Sequence, residues 1–461
     1  MSNLKRSLLV VLSLLMIFSL TLTACKKETA TPAPVEPTEK PMVEEPTEKP
    51  VVEEPTEAEA EAPEEEHEPV TFTTWDPSTD EGVNALFTAQ NEIFMEKYPW
   101  VTVETTHQGD YVVKLNTAFA AGTTPDLIWA WCNPSTFYEY VEAGLVMDLE
   151  DAYEEYGWAE LFPESMIDAV RGPDGKRYGV PDFINGTVVA YNKDIFDQYG
   201  LTAPETWEEW MTVLDTLDEN GVIPIGMGLS DGNWQAKRLF EIILVATAGR
   251  EWTEALYAGE HAWTEQPVLD ALEKLEMMGP YISEGSLGMN SRQGWDLWYQ
   301  QDAAMMISDT WQFTLHDRDA TFNWDWFDFP SINPEVDATF VGAVSDVLYI
   351  PVYSEHPDVA VLYMDSFLSK ETQSVWVNYG LAFNAGDYYG LITEEALGAA
   401  TVKLANYINE NGFTTWFDVG NPSDIAAELA PTEFAALLNG MSTVDDAANN
   451  IEEVAAELYG R

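Results

Sequence analysis

One apolar run constrains this chain more than any other. It is Ala303 to Ile307, AAMMI, set within WYQQDAAMMISDTW between Trp298 and Trp311. The run is too short and too uniformly apolar for a surface helix, so a buried strand is expected. It leads into Asp309-Thr310-Trp311, which puts a carboxylate, a hydroxyl and an indole at the carboxyl end of that strand. In open α/β sheets ligands bind outside that edge. A core strand followed by a core tryptophan fits the same residues, so the rest of the chain must decide.

Upstream, strand and helix patterns alternate. Val70–Trp75 reads as a strand, Glu81–Tyr98 as a helix, Val101–Thr106 as a strand, Tyr111–Ala121 as a helix stopped by Gly122, and Pro125–Trp131 as a third strand. That alternation implies a parallel sheet in an α/β lobe. Trp75, Asp76, Trp129, Trp131 and Asn133 then lie at or just beyond strand carboxyl ends. Further on, Thr187–Tyr191 is a strand and Thr206, with Glu209 three residues later, caps a helix. The short strand IPIGMG leads to the loop Asp231-Gly232-Asn233-Trp234 and a helix over 235–248. Trp324–Phe329 alternates as a strand, and Phe340–Asp346 and Val347–Pro351 give another with a glycine break. Helices are expected over 357–368, 372–379 and 432–459, the last broken at Gly440. At 461 residues the chain has room for two or three lobes of about 100–200 residues each.

The first 69 residues are of another kind. Lys5 and Arg6 precede an apolar stretch from Ser7 to Leu20, the pattern of a secretory signal over residues 1–24. Leu22-Thr23-Ala24-Cys25 fits a bacterial lipobox, which makes Cys25 the expected lipidation site and mature N-terminus. Acyl chains there would anchor the protein to a membrane. Residues 25–69 repeat EPTEKPMVE and EPTEKPVVE and are expected to form an extended, disordered tether, because proline, mutual glutamate repulsion and scarce apolar area leave nothing to offset chain entropy. The net charge of −59 argues against nucleic acid, whose phosphates require Lys and Arg. Two widely separated cysteines make no disulfide framework, and five histidines show no zinc spacing, so neither a metal nor a cofactor is expected.

Ten short stretches occur in a recognisable order. They are FTTWDPS at Phe72, FMEKYPWVTV at Phe94, AAGTTPDLI at Ala120, YVEAGLVMDL at Tyr140, GKRYGVP at Gly175, YNKDIF at Tyr191, PETWEEW at Pro204, AAMMISDTW at Ala303, FVGAVSDVLYIP at Phe340 and NGMSTVDDAANNIEEV at Asn439. Together they resemble the extracellular solute-binding proteins of ABC importers, in the large sugar-binding family that includes the maltodextrin-binding proteins. The resemblance runs from Val70 to Arg461, and the lipobox fits it. It implies an α/β, type II periplasmic-binding-protein-like fold of two lobes, with a hinge that the chain crosses three times. Residues 70–181 and 323–368 are expected in the N-terminal lobe, and 182–322 and 369–461 in the C-terminal lobe.

The same resemblance implies a carbohydrate ligand in the interlobe cleft, permease subunits of an ABC transporter as partners, a monomer, and no enzymatic role. Sugar rings offer an apolar C–H face and a fringe of hydroxyls, which call for flat aromatic rings and carboxylate or amide groups. Trp311 matches the family's stacking aromatic. Trp234 lies where relatives carry a second one, with Asp231 and Asn233 beside it. Trp75 and Asp76 follow the first strand; Trp129, Trp131 and Asn133 follow the third. Asp182 and Asn185 lie at the first hinge crossing, and Asn185 stands where relatives often place an acid. Pro431-Thr432-Glu433 lacks the late aromatic of maltodextrin binders, and Trp416 is the expected replacement. Asp309, Gly342 and Asp346 complete the candidates. The competing readings are a polyamine or other cation binder of the same fold, a secreted glycoside hydrolase with paired carboxylates, and a structural lipoprotein.

Overall fold

The computed structural model describes residues 67–78, 81–336, 340–379 and 389–461. The expected signal segment, Cys25 and nearly all of the tether lie outside these residues. Two sheets organise the described chain. The first has the order β2-β1-β3-β10-β4 and the second β11-β9-β5-β7-β6, with β8 paired to β5. The first contains β1 (Val70–Asp76), β2 (Val101–His107), β3 (Leu127–Trp131), β4 (Val180–Pro181) and β10 (Asp346–Tyr349). The second contains β5 (Ile184–Asn192), β6 (Ile223–Gly226), β7 (Ala303–Asp309), β8 (Trp324–Phe327), β9 (Phe340–Val344) and β11 (Phe413–Thr415).

The strand read from AAMMI is β7, and every one of its residues is buried. It is central, parallel to β6 and antiparallel to β5. Uniform apolarity is the mark of a strand covered on both faces. The helix Trp234–Ala248 packs within the larger core beside β7, and Trp295 and Trp298 of the helix Ser291–Tyr299 pack on Ala303 and Met306. The first sheet has its own core, built from Phe72, Leu86, Phe94, Trp129 and Trp376 among others.

The chain passes between the sheets three times. It leaves β4 at Pro181 and enters β5 at Ile184, and it leaves β9 at Val344 and enters β10 at Asp346. After Asn378 it returns from the first core to the second sheet's side, where Leu404 packs with Trp326 and Phe340. Residues 380–388 on that return lie outside the described residues.

Two lobe boundaries differ from expectation. Trp324–Phe327 and Phe340–Val344, expected in the first lobe, pair with β5 in the second sheet. Conversely, the helix Lys370–Asn378, expected in the second lobe, packs on the first. Its Trp376 donates from Nε1 to Gln90 at 3.0 Å and meets Phe87 edge-on at 5.5 Å. Alternation identifies a strand but not its neighbour, and an amphipathic helix shows a buried face without saying which core receives it.

Candidate ligand-binding site

Parallel pairing sets β1, β2 and β3 with their carboxyl ends on one edge, and antiparallel β10 brings its first residue to that edge: Asp346 stands opposite Trp131. This rim carries Asp76, His107, Trp131 and Asp346. On the second sheet the carboxyl ends of β6, β7, β9 and β11 share an edge with the start of β5. The two described crossings join these two edges directly.

Three indoles line up on the second rim. Trp295 sits edge-on to both Trp234 and Trp311, each with ring centroids 6.0 Å away. Trp234 and Trp311 are half-buried, Trp295 almost fully so. The loop residues around them hold the array in place. Asn233, in the left-handed region at φ 56°, starts the helix that carries Trp234. Asp231 accepts the Ser291 N–H at 3.0 Å and its hydroxyl at 2.8 Å, which fixes the start of the Trp295 helix. Asn185 Oδ1 accepts from Gly186 N, the Thr310 hydroxyl and Trp311 N at 2.9, 2.8 and 3.2 Å, so it sets the backbone that presents Trp311.

On the first rim Trp131 is 41% exposed, a large indole edge-on to Tyr111 at 6.0 Å. Trp75, in register with Thr106 and Ile128, is half-buried, while Asp76 is buried and bonded to His107 Nδ1 at 2.8 Å. Burial raises the Asp76 carboxyl, and the His107 bond works against that shift. Burial pushes Asp346 up to about 7, against the Ser345 hydroxyl bond at 2.7 Å and with Asp76 adding repulsion. Tyr111, its hydroxyl 2.6 Å from the Trp129 carbonyl, is raised well above its usual value by burial.

A second polar group lies beneath the second rim. Arg238 reaches Glu241 at 3.1 Å, Asp309 at 3.3 Å and Asp418 at 3.3 Å, while Lys237 reaches Asp418 at 2.5 Å. Glu241 also accepts from Thr187 and from the Phe417 N–H, both at 3.0 Å. Burial lifts Glu241 to about 7 against the pull of Arg238, and it raises Asp309. Burial opposes ionisation of Asp418 as well, but Arg238 and Lys237 outweigh it and hold that carboxyl low.

Several expected ligand contacts have other work. Trp129 is 8% exposed and packs among Phe87, Phe367 and Trp376 in the first core. Trp131, two residues on and on the same face, ends the strand and is exposed past that core. Asn133 accepts from Ser135 and Thr136 and closes the turn after β3. Trp416 is buried under Arg238, and Asp309 is held in the ion cluster. Gly342 faces Gly186 across β9 and β5, where a Cβ would stand 2.6 Å from the Asn185 carbonyl. Asp182 is fully buried at the first crossing.

Trp295, Tyr111, His107 and the Arg238 cluster were not read from the sequence. Trp295 lies on a helix that the sequence reading did not single out, and Lys237-Arg238 in a helix reads as a solvated face. The signal for His107 was its place directly after the strand read over Val101–Thr106; its register with Asp76 appears only in the fold. Among the described residues no group of three or more His, Cys, Asp or Glu is placed to hold a metal. The rims instead offer flat indoles and carboxyls, groups that stack on apolar ring faces and exchange hydrogen bonds with hydroxyls.

Residues 76–374 match the family described as bacterial extracellular solute-binding protein. An uncharacterised ABC transporter extracellular-binding protein of Pyrococcus horikoshii is 24% identical over 313 residues, which is 64% of this chain and 67% of that one. The multiple sugar-binding protein of Streptococcus mutans is 25% identical over 157 residues, 34% of this chain and 36% of that one. The chain thus spans about two thirds of the first relative and about a third of the second. Among solved structures, a chitin oligosaccharide binding protein superposes with a TM-score of 0.76 at 22% identity, covering 85% of this chain and all of that one, a likeness of fold.

Proposed function

The chain belongs to the bacterial extracellular solute-binding proteins, and from that membership we propose that it captures a sugar or oligosaccharide between its lobes and delivers it to the permease of an ABC importer. The observation that carries this reading is the row Trp234, Trp295 and Trp311 on one rim, joined through the hinge to a rim bearing exposed Trp131 with Asp76 and Asp346. Trp311 and Trp234 stack on sugar faces. Trp75 and Trp131 meet the ligand from the other lobe, and Asp346 exchanges hydrogen bonds with its hydroxyls. Relatives named for sugar binding and for chitin oligosaccharide binding support the substrate class. In this reading Cys25 carries the lipid anchor, residues 26–69 tether the binding unit outside the cell, and the protein works as a monomer.

The test is intrinsic tryptophan fluorescence against a panel of mono- and oligosaccharides, with polyamines included. A saturable change with one sugar class, lost in Trp311→Ala, supports the reading. A polyamine binder of the same fold is the second reading, favoured by three rim and hinge carboxyls that no Lys or Arg neutralises among the described residues. Binding of a polyamine that weakens steeply with added salt would establish it, because neutral sugars respond little to screening.

A further inference from the structure

One side chain ties the two described crossings together. Asp182 Oδ1 accepts the Phe183 N–H at 2.5 Å and the Asp346 N–H at 3.0 Å, and the Asp182 N–H donates to the Asp346 carbonyl at 3.2 Å. Asp182 is fully buried, and its Oδ2 has no hydrogen-bond partner. Asp346 differs: it accepts the Ser345 hydroxyl and keeps part of its surface in water on the rim. The titratable groups that face it are Asp76 from β1, Tyr111 from the helix Tyr111–Ala121, Cys132 just after β3, and Asp182. None of them is a cation. The base on this rim, His107, is engaged with Asp76 at 2.8 Å.

We propose that Asp346 is a proton-operated control on the hinge, its neutral carboxyl favouring closed lobes and its carboxylate favouring open ones. An ionised carboxyl in a crowd of uncompensated acids depends on water. Closure brings the second rim over Asp346 and removes that water, so the closed form prefers the proton. Opening restores the water and releases the proton. Burial and Asp346 push Asp182 well above the carboxylate range; Asp346, pushed up to about 7, is the member of the pair that keeps a face to water and so is placed to exchange its proton. By linkage, closure is favoured below about pH 7 and weakened above it. This rests on the two-lobe hinge and not on which ligand the cleft takes.

The experiment needs no ligand. The full chain carries Cys25→Ser, with spin labels on cysteines introduced by Glu154→Cys in one lobe and Glu273→Cys in the other, both exposed positions. Cys132 is buried with its thiol pushed up to about 12 and does not label. The interlobe distance distribution is expected to move to longer separations between pH 5.5 and 8.5, with a midpoint near 7. Asp346→Asn should hold the acid-form distribution throughout. Asp182→Asn, which leaves Asp346 in place, should keep the transition. Ser345→Ala removes the hydroxyl that favours the carboxylate and should move the midpoint up. A distribution that ignores pH in the wild type overturns the proposal, as does a transition that survives in Asp346→Asn or an unmoved midpoint in Ser345→Ala.

Discussion

The guanidinium of Arg238 lies over the indole of Trp416, its central carbon 3.9 Å from the ring centroid. The stack covers one face of a charge that must also serve Glu241, Asp309 and Asp418. A cation so placed is structural: it organises three carboxyls under the rim and holds the Trp416 ring flat.

Removing it should be costly. In Arg238→Met, Lys237 alone remains among the basic groups of the cluster, and buried acids lose their partner. Breaking a buried pair in this way costs about 3–5 kcal/mol. Urea unfolding should show a lower midpoint with an unchanged slope. Arg238→Lys should fall between, because an ammonium cannot reach three carboxyls at once or stack as a plane. A loss in Arg238→Met that stays within the scatter of surface substitutions would contradict this role.

Trp129 and Trp311 should separate stability from binding. Trp129 is a core side chain, and Trp129→Ala should cost about 3–5 kcal/mol of stability through the cavity it leaves. Trp311 is half-buried, so Trp311→Ala should cost far less stability. If a sugar ring covers about 80 Å² of its face, the lost burial is about 2 kcal/mol, or roughly a thirtyfold weaker Kd. Thermal melting and a fluorescence titration of the same two variants read both quantities.

How far the sequence reaches is clearest where two similar residues diverge. Trp129 and Trp131 stand two apart at the end of β3, yet one fills the core and the other lies 41% exposed. Nothing in LIWAW says which end of a two-sided strand runs past its helix cover. The AAMMI strand was legible because uniform apolarity has one cheap solution, and the helix start at Thr206 because its hydroxyl caps the Glu209 N–H. Trp324–Phe327 was legible as a strand but not as a neighbour of β5, since pairing partners are set by the whole sheet. The Trp234, Trp295 and Trp311 row joins three segments that meet only after folding.

Gly342 tests the register that brings the rims together. It pairs with Gly186, and a Cβ there would meet the Asn185 carbonyl at 2.6 Å and the Phe340 ring at 2.9 Å. The close neighbour is backbone, so it cannot swing aside. Gly342→Ala should therefore cost about 1–3 kcal/mol, the range for overpacking a filled site. It should also weaken ligand binding, because Asn185 orients Trp311. Equal thermal midpoints for the variant and wild type would show that β9 yields more easily than this packing allows.

The stability of the binding unit should fall as pH rises from about 6.5 to 8. Asp346 and Glu241 are both pushed up to about 7 by burial, while an unfolded chain releases these protons near pH 4. Between those values the folded state holds protons that the unfolded state has lost, so each unit of pH gained favours unfolding. The contribution is complete below about 4 and gone once pH passes the folded values. Carboxyls held low act in another window: Glu150, lowered to about 2 by Arg177, loses its contribution only as pH falls below the ordinary glutamate range. It therefore cannot mask the trend above pH 5. The urea midpoint should be higher at pH 6.5 than at pH 8. Asp346→Asn and Glu241→Gln, which keep shape and remove the titration, should each flatten part of the slope, and roughly additively, because one sits at the hinge and the other under the opposite rim. Buried His316, lowered to about 3, works the other way up to about pH 6.5, so the trend is read between 6.5 and 8, where a midpoint that rises with pH would contradict the burial shifts of these two acids.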